Sequence, residues 1–333
     1  MLIMTMNGGT RSSSSSPVAR IRARQLVGLL ALLSLQLLVS CSPQGQSGVQ
    51  GPGAEAPALE KATEPASAPL ITAPPTGTAV QLATRPWVCP QTEGQYETTD
   101  YASVVSGETL PVKLYLPPCY DQQGATFPVL YLLHGYPLDE NHWSDLGVEQ
   151  VLEQMARQGK TAPYMLVMPG IPDALNVHSD GGPGSYEQEF LEGLLPFIES
   201  NYPAASTAGQ RALAGISRGG VWALEISLRN PELFVHAAAL SPALHVNRAR
   251  QPYDPFYILQ KAQTFPEKIF LSAGEDEDAF RIPTQTLAQD LQAVGAKVEL
   301  LIVEGNHSDE NWRRVLPSFL AFIQAGWSEA SNE

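Results

Sequence analysis

The chain has 333 residues, 44% of them hydrophobic, enough for one large core or two modest ones. Only 16% are charged and the formal net charge is −14. That balance makes nucleic acid and anionic membrane surfaces poor partners for the folded body.

Residues 1–41 read as an export signal. Arg20, Arg22 and Arg24 form a positive region ahead of an apolar run, Val27 to Val39, that is too short for a transmembrane span. The run closes on Leu38-Val39-Ser40-Cys41, which resembles the bacterial lipobox, where small residues precede a cysteine that is lipidated and becomes the new N-terminus. Cleavage there removes Arg11, Arg20, Arg22 and Arg24 and no acidic residue, taking the formal charge from −14 to about −18. A lipid on Cys41 would tether the protein to a membrane without spanning it; without lipidation the chain is simply secreted.

From 42 to 86 the composition turns to Pro, Gly, Ala, Ser and Thr, with too little apolar surface to offset the entropy of ordering, so this stretch is expected to be a disordered tether. The folded body is placed at 87–328, with 329–333 as a short tail. Cys89 and Cys119 lie in it, and an exported chain folds in an oxidising compartment, so a disulfide between them is expected.

Within the body, apolar runs alternate with amphipathic ones. Val112 to Leu116, Pro128 to Leu133, Tyr164 to Met168, Arg211 to Ile216, Val235 to Leu240, Lys268 to Ser272 and Val298 to Val303 have the length and composition of strands. Helical spacing recurs in Val148 to Met155, Tyr186 to Tyr202, Arg218 to Arg229, Pro283 to Val294 and Asn311 to Ile323. This alternation predicts an α/β fold, a mainly parallel central sheet with helices on both faces, whose catalytic loops gather at the carboxyl ends of the strands.

One motif falls at such an end. Gly215-Ile216-Ser217-Arg218-Gly219 follows an expected strand and precedes an expected helix, the setting of a nucleophile elbow in which the residues two before and two after the serine must be small. A serine hydroxyl needs an imidazole to take its proton and a carboxylate to orient that imidazole. In this fold they follow in the order serine, acid, histidine. Of the histidines after Ser217, His236 sits inside an apolar run and His245 follows Ser241-Pro242; both read as packed or surface residues. His307 lies in the loop after the last strand and is the candidate base. The preceding strand is followed by Gly274-Glu275-Asp276-Glu277-Asp278, where Glu277 is favoured as the acid, with Asp278 and Asp276 as alternatives. His142 and His178 have no ligands at metal-binding spacing, and no phosphate-cradling glycine loop is present, so neither metal nor cofactor is expected.

Tyr131-Leu132-Leu133-His134-Gly135 with Trp143 downstream, the Ser217 elbow with its extra Gly220, the acidic turn after Gly274, and Gly305-Asn306-His307 followed by Trp312 together resemble one family of α/β-hydrolases. It is the esterase family that includes esterase D, enterochelin, feruloyl and acetylxylan esterases and the mycolyltransferases. The resemblance covers nearly the whole body. It implies the α/β-hydrolase fold, Ser217 as nucleophile, His307 as general base and then acid, and an oxyanion hole from the backbone N–H groups of Tyr136 and Arg218. His134 is expected to brace the oxyanion loop.

Two positions depart from the family pattern: the third residue after Gly274 is Glu277 where Asp is usual, and Asn306 stands where Gly is common. The function this implies is hydrolysis of a carboxylic ester outside the cytoplasm through an acyl-enzyme, on a small-molecule or polysaccharide-linked substrate. Acyl transfer to a carbohydrate or lipid alcohol, and surface binding without turnover, are the alternatives. Trp143, Tyr186, Tyr253, Phe256, Tyr257 and Trp312 are candidates for an aromatic-lined cleft or for core.

Overall fold

A computed structural model describes residues 89–122, 124–178, 180–246 and 248–330. The expected export signal with Cys41, the tether at 42–86 and the first two residues of the expected body lie outside the described residues.

Among the described residues eight strands make one sheet: β1 (Gln95–Ala102), β2 (Thr109–Leu116), β3 (Val129–Leu133), β4 (Met165–Pro169), β5 (Arg211–Ile216), β6 (His236–Leu240), β7 (Lys268–Gly274) and β8 (Val298–Val303). Their spatial order is β1-β2-β4-β3-β5-β6-β7-β8. β1 with β2 and β2 with β4 pair antiparallel; every other neighbouring pair is parallel.

β3 to β6 are buried at every position because helices cover both faces, so their sequences are continuous apolar runs with no polar alternation. Successive side chains still point to opposite sides. Leu130, Leu132, Ala214 and Leu240 meet Leu152, Phe319 and Leu320 from the helices Val148–Arg157 and Asp309–Ala330. On the other side, Tyr131, Leu133 and Leu213 pack on Phe190 and Trp222, while Ala239, Ile269 and Leu271 pack on Leu228, Leu287 and Leu291.

The structure also departs from the sequence reading. β1 escapes the hydrophobic pattern because it is an edge strand whose residues are mostly exposed; it is held by its ladder to β2 and by a turn closed by Ser103 N–H to Glu108 O at 2.8 Å. The expected helix from Tyr186 is regular only to Gln188, then takes a π turn over Glu189–Leu194 before Leu195–Asn201. Buried Glu189 in that turn accepts from Ser103 Oγ at 2.6 Å and Val105 N–H at 3.0 Å.

The helix expected from Pro283 begins earlier, Asp278–Ala293, because Glu277 C=O accepts from the N–H groups of Phe280 and Arg281 and builds a first turn ahead of the proline. The helix Pro255–Lys261, capped by Asp254 accepting from Phe256 N–H at 2.9 Å, was not expected. The last helix continues to Ala330, into the stretch read as tail. Cys89 and Cys119 are joined, Cα to Cα 5.8 Å.

Candidate active site

Ser217 lies between β5 and the helix Arg218–Arg229 with φ 54° and ψ −113°, a conformation that non-glycine residues rarely adopt. Its surroundings hold it there: Ser217 N–H donates to Leu240 O at 2.9 Å, and its carbonyl accepts from Ala243 N–H at 3.1 Å. The glycine requirement is steric. A Cβ at Gly215 would overlap the backbone of Gly219 and Gly220, and one at Gly219 would overlap the carbonyls of Leu133 and His134.

His307 comes from the loop after β8, and its Nε2 lies 3.0 Å from Ser217 Oγ. Its Nδ1 lies 2.8 Å from Glu277 Oε2. Of the acidic turn after β7, only Glu277 is buried; Glu275, Asp276 and Asp278 are exposed, and Asp278 pairs with Arg281 instead. The turn chooses Glu277 through its backbone: Gly274 N–H and Ser241 Oγ both donate to Glu277 Oε1, the latter at 2.6 Å, leaving Oε2 for the imidazole.

Phe280 stacks on the His307 ring at 3.7 Å and Trp312 meets it edge-on at 5.0 Å, so the ring is held on its face and its edge. Asn306 in place of Gly costs no strain, because the left-handed turn of this loop falls on Gly305, with φ 130°.

The β3 loop runs directly beside the serine: a Cβ on Gly135 would sit 3.4 Å from Ser217 Cβ. Tyr136 follows Gly135 in that loop and Arg218 follows Ser217, the two positions whose N–H groups are expected to supply an oxyanion hole. His134 fixes this loop. Its Nδ1 bonds to Gly135 O at 2.8 Å and its Nε2 accepts from Ile171 N–H at 2.9 Å, tying the β3 loop to the β4 loop. Accepting at Nε2 requires a neutral ring, and burial lowers the His134 pKa to about 4, which keeps it so. The Arg218 side chain is buried as well and spends its guanidinium on the carbonyls of Asn176, His178 and Val246, pinning two loops that border the site.

Other expectations fall elsewhere. His236 is buried at the start of β6 and His245 is exposed. Trp143 and Tyr186 are fully buried core residues, Trp143 donating to Leu133 O at 3.1 Å. Tyr253, Phe256 and Tyr257 lie half-buried around the helix Pro255–Lys261. The sequence reading missed Ser241 and Phe280. The first had a visible signal, a serine closing an apolar strand just before a proline; the second had none, since its role depends on how the helix Asp278–Ala293 is seated.

A mainly parallel sheet carrying a serine on a strand-to-helix elbow, with an acid and then a histidine from later strand ends, is the α/β-hydrolase architecture. The family model described as "Putative esterase" matches residues 103–323, and the chain belongs to that family. An endo-1,4-beta-xylanase/feruloyl esterase of Xylanibacter ruminicola is 29% identical over 232 residues, 67% of this chain and 30% of the relative. An esterase of Mycobacterium tuberculosis is 33% identical over 143 residues, 41% of this chain and 30% of the relative. The chain thus spans about a third of the length of these curated relatives. Among solved structures, a ferulic acid esterase superposes with a TM-score of 0.63 at 22% identity, over 70% of this chain and 99% of the other, a likeness of fold.

Proposed function

We propose that the protein is a serine carboxylic-ester hydrolase that works through an acyl-enzyme and acts outside the cytoplasm. The observation that carries this reading is the continuous chain from Ser217 Oγ to His307 Nε2 at 3.0 Å and from His307 Nδ1 to Glu277 Oε2 at 2.8 Å.

Ser217 Oγ attacks the ester carbonyl while His307 Nε2 takes its proton, and Glu277 holds the imidazolium that forms. The oxyanion is met by the N–H groups of Tyr136 and Arg218, each such donor contributing about 2.7 to 4 kcal/mol in the transition state. The imidazolium then protonates the departing alcohol, leaving an acyl group on Ser217. Water, deprotonated by the same nitrogen, releases the acid and restores the serine.

Esters of aromatic acids are the substrate class we extend to this chain from the relatives' names, with half-buried Phe280 as an aromatic surface on the triad histidine. The lipobox-like Cys41 and the Cys89–Cys119 pairing support an extracytoplasmic site of action. Hydrolysis of p-nitrophenyl acetate and methyl ferulate by the wild type and by Ser217→Ala tests the reading. Activity that survives the substitution ends it, as does wild-type protein that neither turns over an ester nor labels with a fluorophosphonate.

A further inference from the structure

The turn after β6 touches both ends of the triad. Leu240 O accepts from Ser217 N–H, and two residues beyond Ser241, Ala243 N–H donates to Ser217 O at 3.1 Å. Between these contacts Ser241 is fully buried, and its N–H extends the β6–β7 ladder to Ser272 O at 2.7 Å. Its φ is 46°, in the left-handed region, which turns the hydroxyl away from the strand direction and toward the end of β7. There Ser241 Oγ donates to Glu277 Oε1 at 2.6 Å and accepts from Trp312 Nε1 at 3.1 Å.

The hydroxyl has one proton, and the indole can only donate. With Trp312 Nε1–H on a lone pair of Ser241, the proton of that hydroxyl is directed to the carboxylate. We propose that Ser241 is a positioning residue for the triad acid: the tetrapeptide Leu240-Ser241-Pro242-Ala243 sets the Ser217 backbone through its main chain, and Trp312 orients the Ser241 hydroxyl so that it anchors Glu277 Oε1 and presents Oε2 to His307. One short segment thereby fixes nucleophile and acid relative to each other. The strained backbone at Ser241 then has a purpose, since a relaxed strand end would aim the hydroxyl elsewhere.

This inference rests on the proposed hydrolase reading, which the Ser217→Ala assay tests separately. Ser241→Gly is the informative variant because glycine accepts a φ of 46° and keeps the N–H to Ser272 while losing the hydroxyl. Gly274 N–H still reaches Glu277, so the loss is placed at the low end for a hydrogen bond to a charged group: kcat falls about tenfold while KM is unchanged.

Trp312→Phe lowers kcat in the wild type and lowers it by a smaller factor on the Ser241→Gly background, since part of its effect runs through the missing hydroxyl. A Ser241→Gly enzyme with wild-type kcat, one whose loss lies in KM and not in kcat, or a Trp312→Phe loss equal on both backgrounds overturns the proposal.

Discussion

Replacing Glu277 by Gln tests the site most severely, because the structure dictates how the new amide must sit. Glu277 Oε1 receives two donors, Ser241 Oγ and Gly274 N–H, so a Gln carbonyl oxygen takes that place and its NH2 group turns to His307 Nδ1. Nδ1 must then accept, which puts the ring proton on Nε2, facing Ser217. The imidazole becomes a donor where a base is needed. Charge adds to the same end: carboxylate and imidazolium centres about 4 Å apart interact by about 4 kcal/mol at an effective dielectric of 20, or about a thousandfold in rate.

Gln matches Glu in size at a site that is only 5% exposed, so folding is retained and circular dichroism of the variant is unchanged. Steady-state hydrolysis of p-nitrophenyl acetate should show kcat reduced about 10³-fold, with Asp276→Asn and Asp278→Asn within twofold of wild type. A Glu277→Gln enzyme within tenfold of wild type, or an equal loss in Asp278→Asn, refutes the assignment of the acid.

Three further outcomes follow from the structure. Reducing the Cys89–Cys119 bond, which links positions 30 residues apart, removes about 3 to 4 kcal/mol on the loop-entropy account and should lower Tm by about 10 °C; an unchanged melting curve in reductant counts against it. Glu225 is buried, and burial first and Glu187 second push its pKa up to about 9. Its folded form therefore holds a proton that the unfolded chain releases above about 4.5, so stability falls as pH rises between those values. Glu225→Gln should raise Tm by a few degrees at pH 8 and flatten that decline, which melting curves across pH 5 to 9 will read. His134 is held neutral with a pKa lowered to about 4, so its stabilising bonds are complete above about pH 6.5 and fade as pH falls toward 4. His134→Ala should cut kcat about tenfold by loosening the oxyanion loop without moving the acid limb of the rate profile; a shifted limb would assign it a proton-transfer role.

The sequence carried the fold wherever burial writes itself into the chain. β3 to β7 were legible because strands covered on both faces must be apolar runs, and the elbow was legible because no side chain fits at Gly215 or Gly219. β1 was not, since an edge strand held by backbone pairing needs no hydrophobic pattern. The order of serine, acidic turn and histidine was set by the chain alone, because each follows a strand at the same edge of a parallel sheet.

Which acid faces His307 was decided only in three dimensions. Four consecutive carboxylates, Glu275 to Asp278, look alike in sequence. The difference lies in one donor of the turn itself, Gly274 N–H at the end of β7, and one brought from the end of the neighbouring strand, Ser241, 36 residues away, which together give Glu277 alone a buried, hydrogen-bonded place. A carboxylate is kept in an interior by the partners it finds there, and partners distant in the chain meet only when the sheet has formed.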